Sequence, residues 1–387
     1  MTLDRTVEIL SRLVAFPSVS LESNLDLIDY VVDLLLDAGF RCDVTIQPEG
    51  NRGNVFATVG PDEDGGVILS GHTDVVPVEG QDWSVDPFHL TIHDGRALGR
   101  GTTDMKGFIA AVLALAPDIA ARPLSRPVHL AFTADEEVGC QGARLMLSKL
   151  ASTGPHPTVA LIGEPTDLGV IGAHKGCYEY TTVIHGVERH ASMSAAGAGA
   201  IHAAVRYMAL LDSLTDELER RAPVDSPFDP PASTINVGRF EGGVARNITA
   251  GSASFEWELR PVQAADLAFV LESVTGYVEG TLLPAMRQEF PEASIHTFEV
   301  GGVGAFHLHA DSPALDLAAK ITGSAEVGVV SFGTEAGVYQ EVGIAPVVCG
   351  PGSIEQAHRP DESIGLGDLE RGLGMLRSLV DEVSAVG

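Results

Sequence analysis

Cysteine is scarce in this 387-residue chain: Cys42, Cys140, Cys177 and Cys349 stand far apart, with no C-x-x-C spacing. That argues against a zinc–thiolate site or a disulfide framework and leaves buried, reduced thiols as the expectation. Long apolar runs are missing too. Although 45% of the residues are hydrophobic, no run reaches the roughly eighteen residues of a membrane-spanning helix. Basic residues are few, 24 against 53 acidic, for a formal net charge of −29. Such a field disfavours nucleic acid and anionic membrane as partners and says nothing about a small substrate. The opening residues, Met1-Thr-Leu-Asp-Arg5, lack the basic and apolar regions of a signal peptide, so a cytoplasmic location is expected.

What the chain does contain is a regular exchange of helical and strand patterns. Leu3, Val7, Leu10, Leu13 and Val14 predict a helix that stops at Phe16-Pro17. Ile28, Val31, Val32, Leu35 and Leu36 predict a second, ended by Gly39. Phe40 to Ile46 alternates as a strand, and Val55–Val59 and Val67–Leu69 read as further strands. A hairpin around Asp94-Gly95 leads to a small apolar helix from about Phe108 to Leu115. Val128–Thr133 and Val159–Ile162 are buried strands, each running directly into acidic residues.

The character changes near residue 178. Strand patterns at Tyr178–Ile184, Ser233–Phe240, Ser254–Leu259 and Ile295–Val300 interleave with helical ones at Ala198–Leu214 and Ala264–Met286. That β-α-β-β-α-β order predicts an inserted α+β domain over 178–302, with a loose loop at Pro223–Pro231. The first style then resumes, with a helix at Ala314–Ile321, strands at Val327–Phe332 and Ala345–Val348, and a closing helix through Leu369 and Leu379. The fold class expected is α/β: a mixed, mostly parallel sheet flanked by helices, built from 1–177 and 303–387.

Chemistry gathers at the strand ends. In Val67-Ile-Leu-Ser-Gly-His-Thr-Asp74, a period of two points His72 and Asp74 the same way, as an imidazole and the carboxylate that steers it. Asp104 precedes a helix and could equally be its N-cap. Asp135-Glu136-Glu137 repel one another unless a cation neutralises them. With Glu164 and His358 added, this is a nitrogen and oxygen ligand set without thiolate, suited to zinc, cobalt or manganese. Two ions about 3.5–4 Å apart need a bridging carboxylate, and one further carboxylate must stay free to move a proton. Spacing alone does not separate Glu136 from Glu137.

The segments Ser70-Gly-His-Thr-Asp-Val-Val-Pro77, Gly99-Arg-Gly-Thr-Thr-Asp-Met-Lys-Gly107, Ala134-Asp-Glu-Glu-Val-Gly139 and Gly163-Glu-Pro165 resemble, in order, the di-zinc aminoacylase/carboxypeptidase family. Gly172-Ala-His-Lys-Gly176, Phe332-Gly-Thr-Glu-Ala-Gly337 and Gly350-Pro-Gly-Ser-Ile-Glu-Gln-Ala-His358 most resemble its acetylornithine deacetylase branch. The resemblance implies two divalent ions, zinc foremost with cobalt as the alternative. One would be held by His72 and Glu164, the other by Glu137 and His358, with Asp104 bridging. Asp74 would orient His72, and Glu136 would be the general base beside a metal-bridging hydroxide. The implied reaction is deacetylation of N2-acetyl-L-ornithine in arginine biosynthesis. Desuccinylation of succinyl-diaminopimelate, another N-acyl amino acid and an inactive binding relative remain alternatives.

His190, in Gly186-Val-Glu-Arg-His-Ala-Ser192, matches the histidine that the inserted domain offers across a homodimer to the substrate carbonyl. Arg189 and Ala191 depart from the usual neighbours, glycine and serine. By the same resemblance Asn247 and Arg260 would anchor the substrate carboxylate. Glu335 is the candidate for a substrate ammonium, with a buried helix cap as its other reading.

Overall fold

Four apolar runs expected as buried strands lie side by side. In the computed structural model Val128–Thr133, Val67–His72, Val159–Ile162 and Ala345–Val348 are parallel neighbours at the centre of a nine-stranded sheet. Residues 3–193, 198–309 and 311–384 are described. Parallel strands require crossovers, and the helices Gly107–Ala121 and Gln141–Thr153 supply two of them. Antiparallel strands flank this centre: Gly53–Val59 and Arg41–Ile46 on one side, Val170–His174 on the other. The chain therefore has a mixed sheet flanked by helices.

The first of two compact units comprises 1–173, 306–329 and 334–387. Its core joins Leu69, Leu130 and Leu161 from the sheet to Leu10 and Leu13, Ile109 and Val112, and Leu373 and Leu376. Central strands are buried throughout, which is why they read as largely apolar runs. Arg41–Ile46 is different. It alternates as expected but forms the sheet's edge, so Val44 and Ile46 remain 37% and 46% exposed.

The second unit comprises 174–305 and 330–333. Its antiparallel sheet has the order Thr234–Gly242, Ser252–Arg260, Cys177–His185, Ser294–Val303. Tyr180, Ile184, Phe255 and Trp257 pack against Tyr207 and Leu211 of the helix Ala200–Arg221 and against Val270. The helical stretch expected at Ala264–Met286 is continuous but not uniform. It widens over Val278–Leu282, where the Leu283 N–H reaches back to the Val278 carbonyl. Pro284 explains this, because it lacks an N–H and its ring crowds the carbonyl four residues earlier.

His129 gives the first unit a built-in acid sensitivity. It is buried, stacked on Phe56, bonded through Nδ1 to Thr58 and through Nε2 to the Gly65 carbonyl. Burial pulls its pKa from 6.5 down to about 4. Between those values the unfolded chain binds the proton and the folded chain does not, so stability falls as pH falls. The full loss is about 3 kcal/mol. On metal-free protein, urea unfolding of His129→Gln should therefore gain on the parent by about that amount from pH 7 to pH 4. Parallel stability curves would contradict it.

No helix among the described residues is long and apolar enough to cross a membrane. Nor do the four cysteines form a disulfide.

Candidate active site

Because the four central strands are parallel, their C-terminal ends share one edge of the sheet, where open α/β sheets place their ligands. His72 is the last residue of its strand, Glu164 follows Ile162 by two, and Glu136 and Glu137 follow Thr133. Gly163 must be glycine here: a Cβ on it would stand 2.1 Å from the Phe108 ring. Asp104 arrives differently, in an irregular turn, Thr102–Lys106, that runs into the helix Gly107–Ala121. Its Asp104–Met105 peptide is cis. No side-chain cap bond forms at this helix start, so Asp104 is not acting as an N-cap.

Asp104 stands between the two histidines. His72 Nε2 is 3.0 Å from Oδ1, and His358 Nε2 is 3.2 Å from Oδ2. Glu164 Oε1 lies 3.8 Å from His72 Nε2, and Glu137 Oε1 lies 3.0 Å from His358 Nε2. Two potential ligand groups result, His72–Asp104–Glu164 and Asp104–Glu137–His358, sharing one carboxylate. Glu136 belongs to neither. Of the two neighbours, only Glu137 stands in a potential ligand group.

Asp135, the first of the three consecutive acids, is drawn away. Its carboxylate meets Arg52 Nε at 2.6 Å and accepts from Gln47 and the Leu21 N–H. Asp74 has a broader task than expected. The His72 Nδ1 meets the Asp74 backbone carbonyl at 3.0 Å and its carboxylate at 3.6 Å. That carboxylate accepts the Glu136 and Glu137 N–H groups at 3.0 and 3.3 Å and the Ser20 hydroxyl at 2.7 Å. It links the His72 strand to the turn bearing Glu136. Ser20 was not legible in the sequence, since only the fold brings it across.

The electrostatics call for positive charge. Burial raises the Glu164 carboxyl well above its usual range, and Asp104 adds to the rise. Burial likewise lifts Glu136, with Glu164, Glu137 and Glu335 adding repulsion. Burial also works on Asp104, but hydrogen bonds from His358 and His72 outweigh it and hold this carboxyl low. Hydrogen bonds to Asp104 and Glu137 push His358 up to about 10. Cys140 Sγ lies 3.6 Å from Glu136 Oε1, and burial pushes its thiol well up, so it stays protonated. A nitrogen and oxygen donor set with surplus negative charge and one shared carboxylate fits two divalent cations.

The remaining expected residues belong to neither ligand group. Glu335 sits at the start of the helix Ala336–Glu341 and is fully buried. Its oxygens accept the Ser70 hydroxyl at 2.9 Å and the Thr133 hydroxyl. Each oxygen thus accepts one hydrogen bond from a strand residue, and the side chain caps no N–H of its helix. His190, Asn247 and Arg260 belong to the second unit. His190 is exposed, its Nδ1 2.7 Å from Ser192 Oγ, on a two-residue ribbon paired with Ile248–Thr249. Asn247 is also exposed, and its carbonyl accepts the Ala191 N–H. Arg260 grips both oxygens of Glu258 at 3.1 and 3.0 Å.

Residues 68–382 match the profile of Peptidase family M20/M25/M40. The chain belongs to that family. It is 34% identical over 363 residues to an acetylornithine deacetylase of Shigella sonnei (strain Ss046), with 92% of each chain covered. In fold it is similar to the M20 family metallo-carboxypeptidase Sso-CP2 from Sulfolobus solfataricus. That match has a TM-score of 0.78 and 18% identity, covering 97% of this chain and 98% of the other. It is also similar to the Bacillus subtilis YXEP protein, described as a dinuclear metal-binding peptidase of the same family. There the TM-score is 0.67 at 16% identity, with 98% of each chain covered. This M20 protein is a metal-binding hydrolase that acts on amide bonds.

Proposed function

We propose that this chain deacetylates N2-acetyl-L-ornithine to L-ornithine and acetate, serving arginine biosynthesis in the cytoplasm. The observation that carries the chemistry is the single Asp104 carboxylate shared by two ligand groups, with Glu136 part of neither. The substrate rests on the 34% identity to an acetylornithine deacetylase over 92% of both chains.

His72, Asp104 and Glu164 would hold one ion, and Asp104, Glu137 and His358 the other, with zinc foremost and cobalt as the alternative. When bound, such ions supply Lewis acidity and bring a water's pKa close to neutral. Glu136, which belongs to neither ligand group, would accept a proton from the attacking water and return it to the leaving amine. Asp74 fixes the backbone from which Glu136 projects. Arg260 and Asn247 receive the substrate carboxylate, for which Arg260 must exchange its present partner, Glu258.

His190 donates to the amide carbonyl across a homodimer formed through the second unit. His190→Ala should lower kcat by about 10²–10³-fold, as for loss of one oxyanion donor, with metal content unchanged. Mixing His190→Ala chains with Glu136→Gln chains should restore activity, since each mixed dimer has one site with both groups intact. Absence of complementation, with subunit exchange shown independently, would place the histidine in its own chain's site or outside catalysis.

Initial rates on a panel of N-acyl amino acids, with zinc and then cobalt, test the substrate. Acetylornithine should exceed N-acetyl-methionine and N-succinyl-diaminopimelate in kcat/KM. A preference for the succinyl compound would overturn the substrate and leave the metal chemistry standing.

A further inference from the structure

Glu362 takes no part in the reaction described above, yet it is one of the most fully engaged carboxylates in the first unit. It is 1% exposed, as is Arg100, whose Nη1 donates to Oε2 at 2.8 Å. The same oxygen accepts the Gly101 N–H at 2.9 Å. Oε1 accepts the N–H groups of Thr103 at 2.9 Å and of Asp104 itself at 3.1 Å. Three backbone donors from the segment that presents the shared carboxylate therefore converge on one side chain.

That segment cannot satisfy these donors by itself. Asp104 (φ −125°, ψ 93°) and Met105 (φ −132°, ψ 33°) depart from helical geometry, so no regular ladder serves the turn. A buried N–H without an acceptor is costly, and a conformation that strands several is abandoned unless something else receives them. Glu362 is that receiver. The far end of the turn is tied separately, by Lys106 Nζ to the Leu13 and Phe16 carbonyls. Glu362 also follows His358 by four residues. One loop thus delivers both an imidazole and the anchor of the carboxylate which that imidazole meets at 3.2 Å.

We infer that Glu362 is a positioning residue that sets the Asp104 carboxylate between the two metal positions, so that both depend on it. This rests on Asp104 being the shared ligand. Metal-free protein titrated with Co2+, followed by visible absorption and calorimetry, separates the possibilities. The parent should take up two equivalents. Glu362→Gln replaces one accepting oxygen by an NH2 among donors, and should weaken at least one equivalent by about 10–100-fold, as loss of an outer partner does. At saturating metal its kcat should fall while KM for acetylornithine stays within about threefold.

If Glu362→Gln does not fold, Glu362→Asp provides the same measurement: it keeps the charge opposite Arg100 and withdraws the carboxylate from the backbone donors. A variant that is less heat-stable but binds two equivalents with the parent's affinity would overturn the inference and leave the metal assignment intact. A parent that binds fewer than two would overturn the shared-ligand assignment, and this inference with it.

Discussion

Glu136→Gln should leave metal content unchanged and reduce turnover by about 10²–10⁴-fold or more, the usual cost of losing a general base. Glutamine keeps the shape and the hydrogen-bonding reach but cannot accept the water's proton. The expectation follows from geometry, because Glu136 stands outside both ligand groups whereas Glu137 is 3.0 Å from His358. The backbone should be undisturbed, since Asp74 holds the turn through main-chain N–H groups rather than through the Glu136 side chain. Metal analysis and rates on the same preparation check both halves. Halved metal with substantial remaining activity would mean that the two neighbours have exchanged roles.

Asp104→Ala should be the more damaging change for metal. It removes the one carboxylate that faces His72 with one oxygen and His358 with the other. Two cations a few ångströms apart would then repel with no negative group between them. We expect fewer than one equivalent retained after dialysis and activity near background, a greater loss than in His72→Ala or His358→Ala, each of which removes a ligand to one ion. An Asp104→Ala protein with two equivalents at the parent's affinity would exclude the bridging role.

Much of this arrangement was legible because it is local. A strand that is buried on both faces is mostly apolar, so Val67–His72 and Val128–Thr133 declare themselves, and polar residues at their ends stand out. Residues whose roles come from distant partners did not declare themselves. Asp135 resembled its two neighbours until Arg52, 83 positions earlier in the chain, claimed it. Nor did the sequence show that Glu335 meets the Ser70 and Thr133 hydroxyls, 265 and 202 positions away. Glu362 passed unnoticed because its partners, the N–H groups of an irregular turn, carry no side-chain signature. At the sheet's edge the alternation from Phe40 to Ile46 does mark a strand, Arg41–Ile46, yet a pattern of side chains does not say how much of one face the fold will cover.

The central claim is that Asp104 joins two metal positions. The most direct test is a crystal of the chain grown with zinc, with anomalous differences recorded above and below the zinc edge. Two peaks are expected, one among His72, Asp104 and Glu164 and the other among Asp104, Glu137 and His358, each within bonding distance of a different Asp104 oxygen. A single peak at full metal saturation, or two peaks that leave Asp104 uncoordinated, would contradict the account.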